Sequence, residues 1–242
     1  MVRRHRLLFA ALALVVFVGV AGAVSFIYFF GGSAPGSASI DQAANVVASS
    51  HPSARASLAT LDGTWNVDTS IGSFSDYSST WAGFRVQEVL SNIGNNTAIG
   101  RTPNVSGQLT LNGQTLPAAH VEVDLTSITS EQPMRDPSIQ RTLATGQYPS
   151  ATFDLTAPIS LPQSPSDGVT YNVSASGNLT IHGVTKAATA AIQAQLKDGV
   201  IVVVGSIPFT FADYGMTAPR APVVLSVADN GTIEFQLFFS HS

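Results

Sequence analysis

Hydrophobic and polar residues alternate with a period of two along most of the chain after residue 63. In the segment 120–126, Val121, Val123 and Leu125 fall on one face, and polar residues separate them on the other. This alternation predicts antiparallel strands with one face buried and one face in solvent. The same pattern recurs in three further segments, at Leu179 and Ile181, at Ile207, Phe209 and Phe211, and at Ile233, Phe235, Leu237 and Phe239.

Turn signals separate these runs. Asn112-Gly113, Asp198-Gly199 and Asn230-Gly231 match the preference of two-residue hairpin turns for residues that accept positive φ. We count eight or nine strands between residues 63 and 240, interrupted by one short helix near Met134 to Leu143. The fold class is therefore all-β, and strands linked in this way either stack as a sandwich or close into an antiparallel barrel.

The first thirty residues predict a membrane anchor. Arg3, Arg4 and Arg6 precede Leu7–Phe30, which contains no charged residue. A helix over this segment would be about 36 Å long, enough to cross a hydrocarbon core of about 30 Å. The positive-inside rule keeps the arginines in the cytoplasm and places the rest of the chain outside. The alternative is a signal peptide cleaved after the small residues Ala21-Gly22-Ala23, which would release a secreted protein.

The chain thus divides into four predicted segments. Residues 1–6 are a cytoplasmic basic tail, residues 7–30 a single-pass transmembrane signal anchor, residues 31–62 a flexible linker and residues 63–242 the folded domain. The linker is predicted from its small and polar composition. We predict that the protein resides in the cell membrane with its C-terminal domain extracytoplasmic.

Composition narrows the function further. Only 11% of residues are charged and the net charge is −4, so nucleic acid is not an expected partner. The chain contains no cysteine, which excludes disulfides, thiolate metal sites and cysteine nucleophiles. The five histidines show no metal-ligand spacing, and no nucleotide-binding or serine-hydrolase motif is present. We therefore predict no metal and no catalytic residue, while a hydrolase assembled from scattered residues is an alternative.

Several short motifs follow one another over residues 63–240. They are, in chain order, Gly63–Asp68 (GTWNVD), Ser127–Thr129 (SIT), Arg135-Asp136, Tyr148–Leu155 (YPSATFDL), Gly177–Lys186 (GNLTIHGVTK) and Phe211–Gly215 (FADYG). In this order they resemble the YceI-like family of lipocalin-like proteins. The resemblance implies an eight-stranded antiparallel barrel around a long apolar cavity, and some members of the family bind polyisoprenoid lipids.

The stretch LTIHGVTK contains a histidine and a lysine beside a glycine. Alternating residues lead up to Gly183 and resume after it, which favours a strand, a turn and a second strand. His182 and Lys186 then lie at the rim of the barrel. A turn is the favoured interpretation, and contact with a ligand is the alternative.

The resulting hypothesis is a binding protein for an isoprenoid-type lipid, such as a prenyl quinone or a prenyl phosphate, that needs no other cofactor. The alternatives are an envelope interaction or stress-protective module with a filled barrel, and a hydrolase of envelope lipids. The oligomeric state is left open. The candidate head-group contacts are Arg85, Arg101, Arg135 and His182. The candidate cavity-lining residues are Trp65, Phe84, Val86, Leu109, Val123, Leu125, Phe153, Leu155, Ile181, Phe209, Phe211 and Phe235.

Overall fold

The structure is a computed structural model that describes residues 34–50, 61–91, 93–220 and 223–242. These residues form two helices and twelve strands. The helices are α1 (Ile40–Ser50) and α2 (Asp136–Leu143). The strands are β1 (Gly63–Asp68), β2 (Trp81–Leu90), β3 (Gly94–Thr102), β4 (Val105–Asn112), β5 (Thr115–Asp124), β6 (Ser150–Leu155), β7 (Ile159–Ser160), β8 (Thr170–Ile181), β9 (Val184–Lys197), β10 (Val200–Thr210), β11 (Val224–Val227) and β12 (Asn230–His241).

Eight strands close into an antiparallel barrel. Their order is β1, β4, β5, β6, β8, β9, β10 and β12, and β12 returns to pair with β1. In the closing pair, Trp65 lies opposite His241 and Asp68 lies opposite Phe238. Closure leaves these strands without a free edge. The fold is therefore all-β with an eight-stranded barrel, as the sequence and the family resemblance predicted.

The remaining strands extend the barrel at one end. The first half of β12 pairs with β2, in which Phe84 lies opposite Ile233. On its other edge β2 pairs with β3, and its last residues pair with β11. An isolated bridge between Arg101 and Thr129 links β3 to the segment that leads into α2. The strands β2 and β11 and the helix α2 thus surround one end of the barrel.

Two of the hairpin turns consist of residues that adopt positive φ. His182 and Gly183 both adopt positive φ, 54° and 72°, between the paired residues Ile181 and Val184. Asp198 and Gly199 form the same kind of turn between β9 and β10, as predicted. The turn predicted at Asn230-Gly231 is wrong, because both residues already pair with β10. A glycine is required there for close packing, because a Cβ atom at position 231 would lie 2.7 Å from Val86 and 2.8 Å from Phe209.

The predicted flexible linker is wrong over residues 34–50, which are ordered against the barrel. The inward face of α1 consists of Ile40, Ala43, Ala44 and Val47, all buried. It packs on the outer side of β10, where Val200, Val202 and Val204 are also buried. Because the helix covers these residues, β10 is apolar on both faces and does not alternate as a strand with one wet face would.

The predicted anchor, residues 7–30, lies outside the described residues, as do residues 1–6 and 31–33. Neither helix in the described part of the chain combines the length and the apolar character needed to cross a membrane. The one helix that the sequence predicted in the folded domain is confirmed as α2. It begins with Asp136-Pro137 and ends at Leu143, and the following residue, Ala144, adopts the left-handed conformation as its C-cap.

The packing of α1 predicts a measurable contribution to stability. Val47 is fully buried against the barrel, so Val47→Ala should lower the free energy of unfolding by about 2 kcal/mol. Gln42→Ala, on the exposed face of the same helix, is the matched control and should change it little. Urea unfolding of the full chain measures both. Equal midpoints for the two variants would show that α1 does not stabilise the barrel.

Candidate ligand cavity

The barrel is hollow. Its interior holds a cavity of about 580 Å³, lined by strands β2 to β12 and by α2. Of the eight strands that close the barrel, only β1 contributes no residue to the lining of this cavity. The lining is almost entirely aliphatic and aromatic, with Glu88, Gln132, Arg135 and Arg220 as the main polar exceptions near one end. A cavity of this size and character suits a ligand with a large apolar part.

Small side chains explain why the interior is not filled. An eight-stranded barrel is just wide enough either to be packed by its own side chains or to hold one small ligand. Here Ala175 on β8 lies directly opposite Ala190 on β9, and both are buried and line the cavity. Further alanines line the cavity at Ala82, Ala98, Ala119, Ala151 and Ala194.

Glycines let aromatic rings lie against the wall of the barrel. Phe84 pairs with Gly100 and Phe235 pairs with Gly205 in neighbouring strands. At each glycine a Cβ atom would lie 2.5 Å from the paired ring, so only glycine leaves room for the ring to lie over the backbone. Large apolar rings therefore cover the wall while the centre stays open.

The alternation along the strands identified most of the lining. Eleven of the twelve predicted residues line the cavity; they are Phe84, Val86, Leu109, Val123, Leu125, Phe153, Leu155, Ile181, Phe209, Phe211 and Phe235. Trp65 does not line it. Its ring is fully buried in a cluster with Leu109 and Phe239, and its indole N–H donates to the carbonyl of Leu61 at 3.0 Å. Trp65 therefore fills the closed end of the barrel, beside the last residues of β12.

Arg85 and Arg101 lie on the outer side of the barrel and do not line the cavity. Both pair with the buried Glu234, Arg85 Nε at 3.2 Å and Arg101 Nη2 at 3.7 Å. Arg101 is 2% exposed and its guanidinium lies 3.8 Å from the ring centroid of Trp81. Burial lowers the pKa of Arg101, and the charge of Glu234 opposes that shift.

These two arginines bind the N-terminal segment. Arg85 Nη2 donates to the carbonyl of Pro35 at 2.7 Å, and Arg101 Nη2 donates to the carbonyl of Gly36 at 2.8 Å. Their positive charges are thus used to fasten the residues before α1 to the barrel wall. They are unsuited to hold a ligand head group inside the barrel.

His182 also lies outside the cavity lining. Its Nδ1 lies 3.1 Å from the carbonyl oxygen of Tyr214, and its ring meets Tyr148 edge-on with 4.9 Å between centroids. Lys186 pairs with Asp213 at 3.2 Å on the surface. Hydrogen bonds from Thr210 and Lys186 lower the pKa of Asp213. The LTIHGVTK stretch is therefore a structural turn tied to the FADYG segment.

Arg135 is the one predicted head-group contact that lines the cavity. Its guanidinium pairs with Glu88 at 2.6 Å and also with Glu131. Sequence reasoning missed Glu88, although it follows Phe84 and Val86 on the same face of β2. It also missed Gln132, which lies in an irregular segment where no period marks the inward side chains.

The mouth of the cavity lies at the same end. Met134 and Arg220 line the cavity and are also exposed, so they mark where it opens to solvent. Met134 is 71% exposed and precedes Arg135. Glu88 pairs in register with Val227 of β11, which places β11 at this end as well. The mouth is thus the end opposite Trp65.

The closed sheet and its apolar interior define the class of hollow, eight-stranded antiparallel barrels. A family model of the YceI-like domain matches residues 47–239, so the chain belongs to the YceI-like family, as the motifs indicated. Among curated proteins, none matches the chain.

The chain is similar to several solved structures, and the first of those that follow shares its fold. A polyisoprenoid binding domain from Saccharophagus degradans, implicated in plant cell wall breakdown, has 17% identity and a TM-score of 0.55, covering 74% of this chain and 98% of that one. BcnA from Burkholderia cenocepacia has 20% identity and a TM-score of 0.49, covering 65% and 95%. A YCEI protein from Campylobacter jejuni has 19% identity and a TM-score of 0.43, covering 57% and 82%.

Filling the cavity should weaken the binding of apolar molecules. Ala190 lines the cavity and is 2% exposed, so Ala190→Trp would place an indole inside the barrel. We expect the affinity for a fluorescent naphthalene dye to fall at least about tenfold, or about 1.4 kcal/mol. The matched control is Ala187→Trp, on the exposed side of the same strand. Equal dye binding by the two variants, both folded by circular dichroism, would contradict the assignment of the cavity.

Proposed function

We propose that this protein is a membrane-anchored, extracytoplasmic binding protein that holds one long isoprenoid-type lipid, such as a prenyl quinone or prenyl phosphate, in its barrel. The observation that carries the proposal is the apolar cavity of about 580 Å³, which opens to solvent beside Met134 and Arg220. The polyisoprenoid binding described for the Saccharophagus degradans domain supports this ligand class.

The energetics favour a slender hydrocarbon. Transfer of apolar surface out of water contributes about 25 cal/mol per Å². A prenyl tail of several units would therefore gain many kcal/mol inside the barrel, from which the cost of ordering the chain is subtracted. The lining offers few polar groups, so specificity along the tail depends mainly on shape, and the charged lining residues Glu88, Arg135 and Arg220 lie near the mouth.

Tethering would place the barrel close to its source of ligand. Only residues 31–34 separate the predicted span, which ends at Phe30, from Pro35, which Arg85 binds on the barrel wall. At about 3.5 Å per residue, so short a connection reaches less than about 20 Å. The barrel would thus stay beside the bilayer that contains the isoprenoid.

The alternatives fit the cavity less well. An interaction or stress-protective module needs no interior space, whereas this barrel keeps its interior open with alanines. A lipid hydrolase needs a nucleophile beside a base, whereas the lining carboxylate Glu88 pairs with Arg135 and none of the cavity-lining residues in the described part of the chain is a histidine. His120 pairs with Asp154 at 2.7 Å, but neither of them lines the cavity.

A charge in the cavity wall should eliminate lipid binding. Phe209 lines the cavity, so Phe209→Arg would place a guanidinium where desolvation is unfavourable. We expect the full chain to lose uptake of an added long-chain prenyl quinone, measured by mass spectrometry after gel filtration. Glu122→Lys, an exposed charge change outside the cavity lining, is the control and should bind as the wild type does. Undiminished uptake by a folded Phe209→Arg variant would refute the proposed site.

The proposed topology has its own test. Protease added outside intact spheroplasts should digest the barrel domain while a cytoplasmic marker protein survives, because the basic residues hold the N-terminus inside. Protection until lysis would reverse the orientation. A mature protein that begins near Val24 and is released from the membrane would replace the anchor with a cleaved signal.

A further inference from the structure

The mouth of the cavity contains an arginine whose charge is already neutralised. Arg135 donates from Nη2 to Glu88 Oε1 at 2.6 Å and from Nη1 to Glu131 Oε1. Glu88 is 6% exposed and also accepts from Asn96 Nδ2 at 2.7 Å. The cluster of Glu88, Glu131 and Arg135 therefore contains two carboxylates and one guanidinium, with a formal charge of −1.

The negative side of this cluster is incompletely compensated. Glu131 Oε2 is buried and has no hydrogen-bond donor in the described part of the chain. In a partly buried site of low effective dielectric, such a charge acts over several ångströms with little screening. An anionic group placed at the mouth would therefore be repelled.

Gln132 offers a different kind of contact at the same place. It is 9% exposed, lines the cavity and lies three residues before Arg135. Its hydrogen bonds to Ser130 use only main-chain atoms of Gln132, and within the described ranges the structure gives its side-chain amide no partner. An amide that faces a cavity and has no protein partner is free to hydrogen-bond with a polar group of a ligand or with water.

We infer that the mouth selects an uncharged, oxygen-bearing head group over a phosphate, with Gln132 as the donor to its oxygen and the Glu88–Arg135–Glu131 cluster as the element that rejects anions. The inference rests on the proposed function, since it concerns the head of the lipid whose tail fills the barrel. It assigns to the ligand the chemistry of a prenyl quinone or a prenyl alcohol.

Arg220 is the other cation in the cavity lining. It is exposed at the rim, where water and salt screen its charge more than they screen the buried cluster. Arg220 therefore offsets the repulsion between an anionic head group and the buried cluster only in part.

The test compares three lipids with the same prenyl tail, a quinone, an alcohol and a monophosphate, on the full chain. We expect the quinone and the alcohol to bind at least about tenfold more tightly than the monophosphate. Equal or tighter binding of the monophosphate would overturn the inference while leaving the proposed function intact. Failure of all three lipids to bind would instead reject the proposed function.

Two variants separate the roles of the residues. Glu131→Gln removes one negative charge, while its amide oxygen can still accept a hydrogen bond from Arg135. The ratio of quinone affinity to monophosphate affinity should therefore fall severalfold. Glu122→Gln, which removes an exposed carboxylate elsewhere, should leave this affinity ratio unchanged. Gln132→Leu should weaken the quinone severalfold and leave a headless prenyl hydrocarbon unaffected. An unchanged affinity ratio in Glu131→Gln would contradict the role assigned to Glu131. Unchanged quinone binding by Gln132→Leu would contradict the role assigned to Gln132.

Discussion

Closure of the sheet between β1 and β12 is the constraint on which the rest of the structure depends. Without the pairing of Trp65–Asp68 with residues 238–241, the eight strands would form an open sheet with two exposed edges. Closure fixes the inward face of every ring strand around one axis, so alternation in the sequence becomes a single apolar interior. Only the last residues of β12 pair with β1, so its first half is left to pair with β2, which forms part of the mouth.

A closed barrel of this size is not hollow by necessity. The space inside depends on Ala175 and Ala190, which face one another, and on rings such as Phe235 that lie over a glycine in the next strand. These residues forgo packing in the centre of the barrel, where dispersion contacts would otherwise stabilise the fold. A bound apolar chain would supply the missing contacts, which links stability to occupancy.

Much of this architecture could be predicted from the sequence, because period-two alternation reports directly which residues share a face. Phe84, Val86 and Glu88 are every second residue of β2 and share its inward face. The same period places Arg85 on the outer face. The packed helix α1 also left a signal, since Ile40, Ala43, Ala44 and Val47 recur at helical spacing. One hydrogen-bond partner of Arg101 could not be predicted, because it is the main-chain carbonyl of Gly36, 65 residues away. Gln132 lacked any signal, since side chains in irregular segments follow no period.

The central claim is that the barrel holds an isoprenoid, and the contents of the barrel test it most directly. The measurement is mass spectrometry of the organic extract from the full chain, purified from the cells that naturally produce it and freed of loosely bound lipid by gel filtration. The account predicts one dominant long-chain isoprenoid in near-stoichiometric amount. An extract free of isoprenoid, from protein that also takes up none when it is added, would contradict the account.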